Sequence, residues 1–345
     1  MNPLSAAYGL AVRLRRQWYS RHPNARRRLD RPVISVGNLV AGGSGKTPVV
    51  AALAARLLAA GERPAILSRG YARRERTRGA LVVGDGARVL EPVERSGDEP
   101  QMLARALDGV PVLVSADRHA AGRLAERRGD VTVFLLDDGF QHLPLARDVD
   151  LLIVSPQDLQ ERLLPAGALR EPLAAARNAD AVIVPGTDAE AARVASALGV
   201  REAFTMSVRY EAPRLVSPYG QPLAPGAPRR VVAVAGIARP RRFVAALRDL
   251  GWDVADTVLF PDHHWFSARD LARVAGAARR AGVDLVMTTE KDAVRIGEAP
   301  AVRAGEVTWA FLPMRASLGP AERFDEWVLS RVKAARAGIQ GASGG

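Results

Sequence analysis

Cysteine is absent from this chain of 345 residues, and with it go disulfides, thiolate metal sites and every cysteine nucleophile. Aromatic residues make up only 5%, and they form none of the stacking motifs that RNA-binding modules carry. Long hydrophobic runs are missing as well. The longest candidate, Val49–Ala60, is broken by Arg56 and falls short of the roughly 20 apolar residues that a spanning helix needs. Near the N-terminus the arginines follow the apolar residues instead of preceding them, which is not the layout of a secretory signal. The expected compartment is the cytoplasm.

What is present is ordinary globular material, 48% hydrophobic and 25% charged, in a length that suits two domains at about 100–200 residues each. The formal net charge of +12 favours anionic partners such as phosphates, acidic membrane surfaces or nucleic acid. That charge is concentrated at the start. Residues 1–31 hold eight arginines against one acid, Asp30. On a helix, Leu4, Ala7, Tyr8, Ala11, Leu14 and Trp18 share an arc of about 120°, so the segment predicts an amphipathic basic helix over 1–30. It could lie in a membrane interface or pack on its own domain.

The stretch Val33–Asn38 is a strand pattern that feeds the turn Val40, Ala41, Gly42, Gly43, Ser44, Gly45, Lys46, Thr47, and a helical pattern follows. That order predicts a phosphate-binding loop. Its backbone N–H groups converge on phosphate oxygens, Lys46 reaches the β and γ phosphates, and the Thr47 hydroxyl takes a magnesium site. The usual G-x-x-x-x-G-K-[ST] spacing would put its first glycine at position 40, where this chain has valine. Further on, Phe134–Leu136 is a buried-strand pattern ending in Asp137 and Asp138. Two carboxylates at that place in a phosphate-loop fold are the expected holders of Mg²⁺.

Short apolar runs alternate with helical stretches at Ala65–Ser68, Leu81–Val83, Val112–Val114, Val131–Leu136, Leu151–Val154 and Ala181–Val184. Such alternation predicts an α/β fold, a mostly parallel sheet with helices on both faces. Proline and glycine then crowd Ser217–Pro228, and a second strand-to-helix series starts at Val231. The expected organisation is a helix over 1–30, a phosphate-loop domain over 31–216, a linker over 217–230 and a smaller α/β domain over 231–340 that closes over the site. The tail, 341–345, is expected to be disordered.

Several polar segments complete the pattern: Ser68-Arg69-Gly70-Tyr71, Gly97-Asp98-Glu99-Pro100, Asp117-Arg118, Asp137–His142, Leu169-Arg170-Glu171-Pro172, Phe260–His264 and Thr289–Asp292. By spacing alone neither Asp98-Glu99 before a helix nor the His263-His264 pair is decisive. Together with the loop that has Val40 in place of glycine, they resemble the tetraacyldisaccharide 4′-kinases, which phosphorylate the lipid A precursor of Gram-negative outer membranes. The resemblance runs from the N-terminal helix to about Arg295 and beyond.

The resemblance implies ATP-dependent transfer of a phosphoryl group to the 4′-hydroxyl of an acylated glucosamine disaccharide 1-phosphate. The protein would sit peripherally on the inner membrane's cytoplasmic face, held there by the N-terminal helix. It makes Asp98 the general base with His263 as its assistant, Lys46 the stabiliser of the transferring phosphoryl, and Thr47 with Asp137 or Asp138 the Mg²⁺ holders. Arg69, Glu99, Gln141, His142, Arg170 and Glu171 are candidate contacts to substrate or nucleotide, with Glu171 also a candidate metal ligand. Arg69 and Arg170 suit phosphate, since a guanidinium binds two oxygens at once, but could equally be structural. Lys291-Asp292 could fix the domain junction, contact nucleotide or form a surface ion pair. Two rivals find less support. A guanine-reading Asn-Lys-x-Asp is absent, which disfavours a regulatory GTPase, and only net charge favours a nucleic-acid-binding ATPase; no nucleic acid is expected as partner.

Overall fold

The computed structural model describes residues 2–343 except 44, 76, 77, 228, 298, 304 and 306. Its first element is α1 (Pro3–Arg21), capped by the Asn2 side chain, which accepts from the Leu4 N–H. A mostly parallel series follows, with β3 antiparallel to β4: β1 (Val33–Asn38), α2 (Lys46–Ala59), β2 (Pro64–Ser68), β3 (Leu81–Gly84), α3 (Val93–Ser96), α4 (Asp98–Ala106), β4 (Val112–Val114), α5 (Arg118–Arg128), β5 (Val133–Asp137), β6 (Val149–Ile153), β7 (Ala181–Pro185), α6 (Asp188–Leu198) and β8 (Glu202–Tyr210). The second series is β9 (Arg214–Leu215), β10 (Arg230–Ala235), α7 (Pro240–Asp249), β11 (Asp253–Leu259), α8 (Ala268–Ala281), β12 (Leu285–Thr289), α9 (Glu290–Ile296), α10 (Pro300–Arg303) and β13 (Thr308–Leu312). The chain then closes with β14 (Met314–Gly319) and α11 (Ala321–Ser343).

These strands form two sheets, a nine-stranded one ordered β14-β8-β7-β6-β1-β5-β2-β4-β3 and a five-stranded one ordered β11-β10-β12-β13-β9. In the large sheet β1 runs parallel between β5 and β6, which places the phosphate loop and the acid pair at neighbouring strand ends. Residues Val33–Asn38, Val133–Asp137 and Val149–Ile153 are buried throughout, as expected of strands covered on both faces. One face packs on α2 and α11 through Val49, Leu53, Phe324, Val328 and Val332. Two other clusters cover the opposite face, one with α6 and the other with α5.

Three of the expected boundaries differ from what the sequence suggested. The second lobe begins earlier than 231, because Val216 is buried in its core and Tyr219 stacks on Phe311 with ring centroids 4.9 Å apart. It also ends earlier than 340. β14 pairs antiparallel with β8 of the large sheet, and α11 is anchored there by Arg56, whose guanidinium donates to Asp325 at 2.7 Å. The chain therefore leaves and re-enters the first lobe side by side. Residues 341–343 of the tail belong to α11, while 344 and 345 lie outside the described residues.

The N-terminal helix departs from its expected stripe at one residue. Tyr8 faces inward and its hydroxyl donates to the Arg170 carbonyl at 2.8 Å, whereas Leu4, Leu10, Leu14 and Trp18 are 67%, 57%, 55% and 48% exposed. The helix thus turns Ser5, Tyr8, Gly9 and Arg16 to the protein and its leucines to the outside.

Gly37 lies where two site-bearing segments touch. A Cβ there would stand 2.4 Å from the Phe140 Cβ and 2.9 Å from its backbone nitrogen, too close for any real contact. Gly37→Ala should therefore force β1 and the turn after β5 apart and cost about 1–3 kcal/mol, the usual range for overpacking. A urea unfolding midpoint unchanged from that of the unaltered chain would contradict this.

Candidate active site

β1 ends at Asn38, and the loop to α2 is tied down on its first half. The Ala41 N–H donates to the Ala168 carbonyl at 2.7 Å, and Val40 bridges to Leu169. Val40 is buried with Leu39 and Leu169 in one apolar cluster, which accounts for a valine where glycine is usual: the loop starts from a packed anchor. Its second half is more open. Gly42 and Gly43 are exposed, and Gly45 carries φ +79° immediately before α2. Ser44 lies outside the described residues. Lys46 opens α2 and folds back, donating from Nζ to Asn38 Oδ1 at 3.2 Å and lying 3.6 Å from Asp138 Oδ1. Thr47 is partly exposed on the first turn beside it.

The two acids of β5 have opposite electrostatic situations. Asp137 is buried, accepts from the Ser68 hydroxyl at 3.1 Å, and keeps Oδ1 without a partner. Burial, then the negative charges of Glu99 and Asp138, push it up to about 7. Asp138 takes a left-handed backbone, φ 52°, and receives both terminal nitrogens of Arg170 at 2.8 and 2.9 Å. Burial alone would raise it, but Arg170 and Lys46 hold it at about 2. A buried, orphaned carboxylate oxygen fits a divalent cation. Among the described residues no three acidic or histidine side chains converge into a protein-only cage, which suits Mg²⁺, an ion that takes one or two carboxylates and fills its other positions with water and phosphate.

Across the cleft, the second lobe brings His263 to Asp98. Asp98 opens α4 and is only 4% exposed. Its Oδ1 accepts from the Glu99 N–H at 2.9 Å and its Oδ2 lies 3.0 Å from His263 Nδ1. Burial would raise this carboxyl, but the contact with His263 and the charges of Lys291 and Arg295 hold it below the usual carboxylate range. Gly97, at φ +87°, gives the turn that aims it: a Cβ there would meet the Tyr71 carbonyl at 3.0 Å. Tyr71 itself presents its ring to His263, centroids 5.2 Å apart.

The remaining sequence candidates divide. Gln141 donates to the Asn38 carbonyl at 2.9 Å and so braces the loop. Glu99 lies 3.5 Å from Lys291 Nζ. Glu171 is taken up by Arg16 of α1 at 2.6 Å, so among the acids it is the one already neutralised by the helix. Arg170 is engaged by Asp138 and also donates to Asn38 Oδ1. His142 is drawn down to about 3 by burial and by Arg118 and Arg147, which makes it a neutral neighbour and not a cation. Arg69 is exposed at the end of β2. Asp117 proves structural, capping α5 through the Ala120 N–H and pairing with Arg27 at 2.6 Å. His264 likewise serves its own lobe, its Nε2 lying 3.1 Å from Asp270.

Two cations of the site, Arg118 and Arg295, went unassigned in the sequence, and a third, Lys291, was left open between the domain junction, nucleotide and a surface ion pair. Arg118 is 5% exposed at the start of α5 and is lowered to about 10 by burial and Arg69, while Asp137 and Asp138 oppose that shift. Its signal was position, since an arginine directly after a capping aspartate starts a helix at the strand ends. Lys291 and Arg295 of α9 stand 3.8 and 3.7 Å from Asp98, and only the fold brings them there.

Phosphate loops serve hydrolases and transferases alike. Here the loop lies beside a buried acid pair and faces a second lobe across a cleft, so fold and site define a P-loop enzyme of two lobes. The pattern of the LpxK family, tetraacyldisaccharide-1-P 4′-kinase, matches residues 1–333, and the chain belongs to that family. It is similar to the tetraacyldisaccharide 4′-kinase of Geobacter metallireducens, 44% identical over 321 residues that span 90% of this chain and 92% of that one. The enzyme of the same name from Anaeromyxobacter dehalogenans strain 2CP-C is 40% identical over 314 residues, 87% of this chain and 82% of that one. Among solved structures, an LpxK from Aquifex aeolicus in complex with ATP superposes with a TM-score of 0.77 at 30% identity, covering 96% of this chain and 98% of that one.

The raised Asp137 carboxyl has a consequence for stability. Its folded value lies above the unfolded value of about 3.9, so the folded state holds this proton more tightly, and the associated stability is lost as pH rises from about 4 through 7. In metal-free, nucleotide-free buffer, Asp137→Asn should therefore raise the thermal midpoint more at pH 8 than at pH 5. Equal differences at both pH values would refute the shift.

Proposed function

We propose that this kinase moves the γ-phosphoryl of ATP onto the 4′-hydroxyl of a tetraacyldisaccharide 1-phosphate, with Asp98 as general base, at the cytoplasmic face of the inner membrane. The observation that carries the reading is the Asp98–His263 contact: a carboxylate kept ionised at 4% exposure by donors from the opposite lobe. Asp98 takes the hydroxyl proton as the sugar oxygen's electron pair forms the new P–O bond, and the bond from the γ-phosphorus to the ADP oxygen breaks. His263 orients the base. Lys46 leaves Asn38 and Asp138 for the β and γ phosphates, and the amides of the open second half of the loop, Gly42, Gly43 and Gly45, meet the phosphate oxygens. Thr47, Asp137 and Asp138 would hold Mg²⁺, which supplies charge neutralisation on the phosphates when bound. Arg118 faces the same acids and can offset phosphate charge beside them.

Membrane contact is supported by α1. Its outward face is apolar, Leu4, Leu10, Leu14 and Trp18, and arginines border it at Arg13, Arg15 and Arg21. The layout suits an interfacial helix on an anionic surface. No helix of the described residues is long and apolar enough to cross a membrane. The inward face is bonded to Arg170 and Glu171, so a lipid acceptor held at the interface would lie next to the acid pair.

The test is transfer of label from radiolabelled ATP to purified disaccharide 1-phosphate in detergent micelles. Asp98→Ala and His263→Ala should each lower kcat by roughly 10²–10⁴ with ATP affinity little changed, and Lys46→Ala should leave less than about a tenth of the rate. Because Asp98 and His263 act as a unit, the double variant should be little worse than the worse single one. Fully additive losses would separate the two residues, and failure of the unaltered chain to label the lipid would sink the substrate.

Leu14→Glu combined with Trp18→Glu should release the protein from sedimenting anionic vesicles while leaving ATP binding intact, since both side chains point away from the fold. Unchanged sedimentation would place the membrane contact elsewhere.

A further inference from the structure

We propose that Lys291 is the positioning residue of the acid–base pair: by donating to the far nitrogen of His263 it fixes the neutral Nδ1–H tautomer, so that the ring's only N–H is spent on Asp98. The inference rests on the roles given above to Asp98 and His263, and it concerns how that pair is set up.

Lys291 Nζ lies 3.3 Å from His263 Nε2, while His263 Nδ1 lies 3.0 Å from Asp98 Oδ2. An ammonium carries three donors and no acceptor, so the nitrogen it meets must be the bare one. A neutral imidazole has one bare nitrogen and one N–H; the N–H is therefore at Nδ1 and donates to the carboxylate. The opposite tautomer would aim an N–H at the ammonium and a lone pair at the carboxylate, two repulsions in place of two bonds. An imidazolium would likewise put its second N–H against the ammonium.

The surroundings keep each partner in place. Glu99 on α4 lies 3.5 Å from Lys291 Nζ, and Asp98 and Asp262 lie 3.8 Å from it, so the ammonium has acceptors around it. Asp262 also stands 3.9 Å from His263 Nε2 within the same loop, and Tyr71 covers the ring from the first lobe. From α9, Arg295 reaches to 3.7 Å from Asp98 and donates to the carbonyls of His264 and Gly236 at 2.9 and 3.1 Å. The helix that carries Lys291 thereby grips the loop that carries His263. That loop holds His263 at φ 58°, a conformation kept only where the environment over-determines it.

It follows that His263 cannot store the substrate's proton at Nε2 while Lys291 is there. Asp98 takes that proton alone, and the imidazole serves as a fixed donor that aims the base.

The test uses the full chain labelled with ¹⁵N-histidine, in which His263→Gln picks out the wanted signals among 5 histidines. At pH 7.5 the unaltered protein should show His263 Nε2 as a bare nitrogen and Nδ1 as an N–H. In Lys291→Met the ring should keep its Nδ1–H on Asp98 and take a second proton at Nε2, kcat at pH 7 should fall about tenfold or more, and KM for ATP should change by less than about twofold. Raising the pH to 9 should recover most of that loss, and Lys291→Arg, which keeps the donor and the charge, should keep the bare Nε2. An N–H found at Nε2 in the unaltered chain overturns the proposal whether or not any variant folds. So does a Lys291→Met enzyme whose nitrogen spectrum and pH profile are unchanged while kcat falls, or one that raises KM for ATP alone. Full kcat in His263→Gln would instead remove the acid–base reading, and the nitrogen spectrum would still decide the tautomer.

Discussion

The contact between the two lobes is organised around one constraint: the Asp98 carboxylate stays charged in a place where water is nearly excluded. A carboxylate at 4% exposure would by itself prefer to be protonated, and α4, which carries it, supplies only the Glu99 N–H. The missing favourable terms come from His263, Lys291 and Arg295, all in the second lobe. The charged form of Asp98 is thus held by contacts between the two lobes. Arg295 is itself held by Asp292 at 2.6 Å in the interior of the second lobe.

A second chain of contacts runs from the outside of the protein to the acid pair. Arg16 of α1 holds Glu171, Tyr8 holds the Arg170 carbonyl, Arg170 grips Asp138, and Asp138 lies 3.6 Å from Lys46. The first three contacts are 2.6 to 2.8 Å long and three of the four are charge pairs, so α1 is joined to the phosphate loop by a continuous run of polar contacts. An exposed apolar helix face that merely tethered the protein would need no such connection. This one is built into the wall of the site.

Much of this was legible in the residues. Continuous apolar runs such as Val133–Leu136 and Ala181–Val184 could only be strands covered on both faces, and the loop from Val40 to Thr47 announced itself through glycine spacing followed by lysine and threonine. Illegible parts have physical causes. β8 mixes inward Phe204 and Met206 with outward polar residues, and its partner β14 arrives a hundred residues later, so neither has a local signal of sheet membership. The return of α11 to the first lobe rests on Arg56–Asp325 and on Phe324 entering a distant core. In the site, Asp98 and His263 were found through family resemblance, whereas Lys291 was left open between the domain junction, nucleotide and a surface ion pair, and Arg295 carried no assignment. Their role is created by the approach of α9 to α4, which no spacing along the chain encodes.

The crossing between lobes shows how those distant parts are tied to one another. The chain passes outward after β8 and back before β14, and these two strands are hydrogen-bonded neighbours, with Met314 opposite Tyr210 and Arg315 opposite Arg209. The backbone links between the lobes therefore form one two-stranded ribbon. Arg315 sits on that ribbon and bonds both Glu211, at its outgoing end, and Glu290, the first residue of α9, at 3.4 and 3.0 Å. Lys291 is the next residue along. Flexing the ribbon must move the start of α9, and with it the ammonium on His263 and the guanidinium beside Asp98. The contacts that keep Asp98 charged are in this way joined to the place where the backbone passes twice between the lobes.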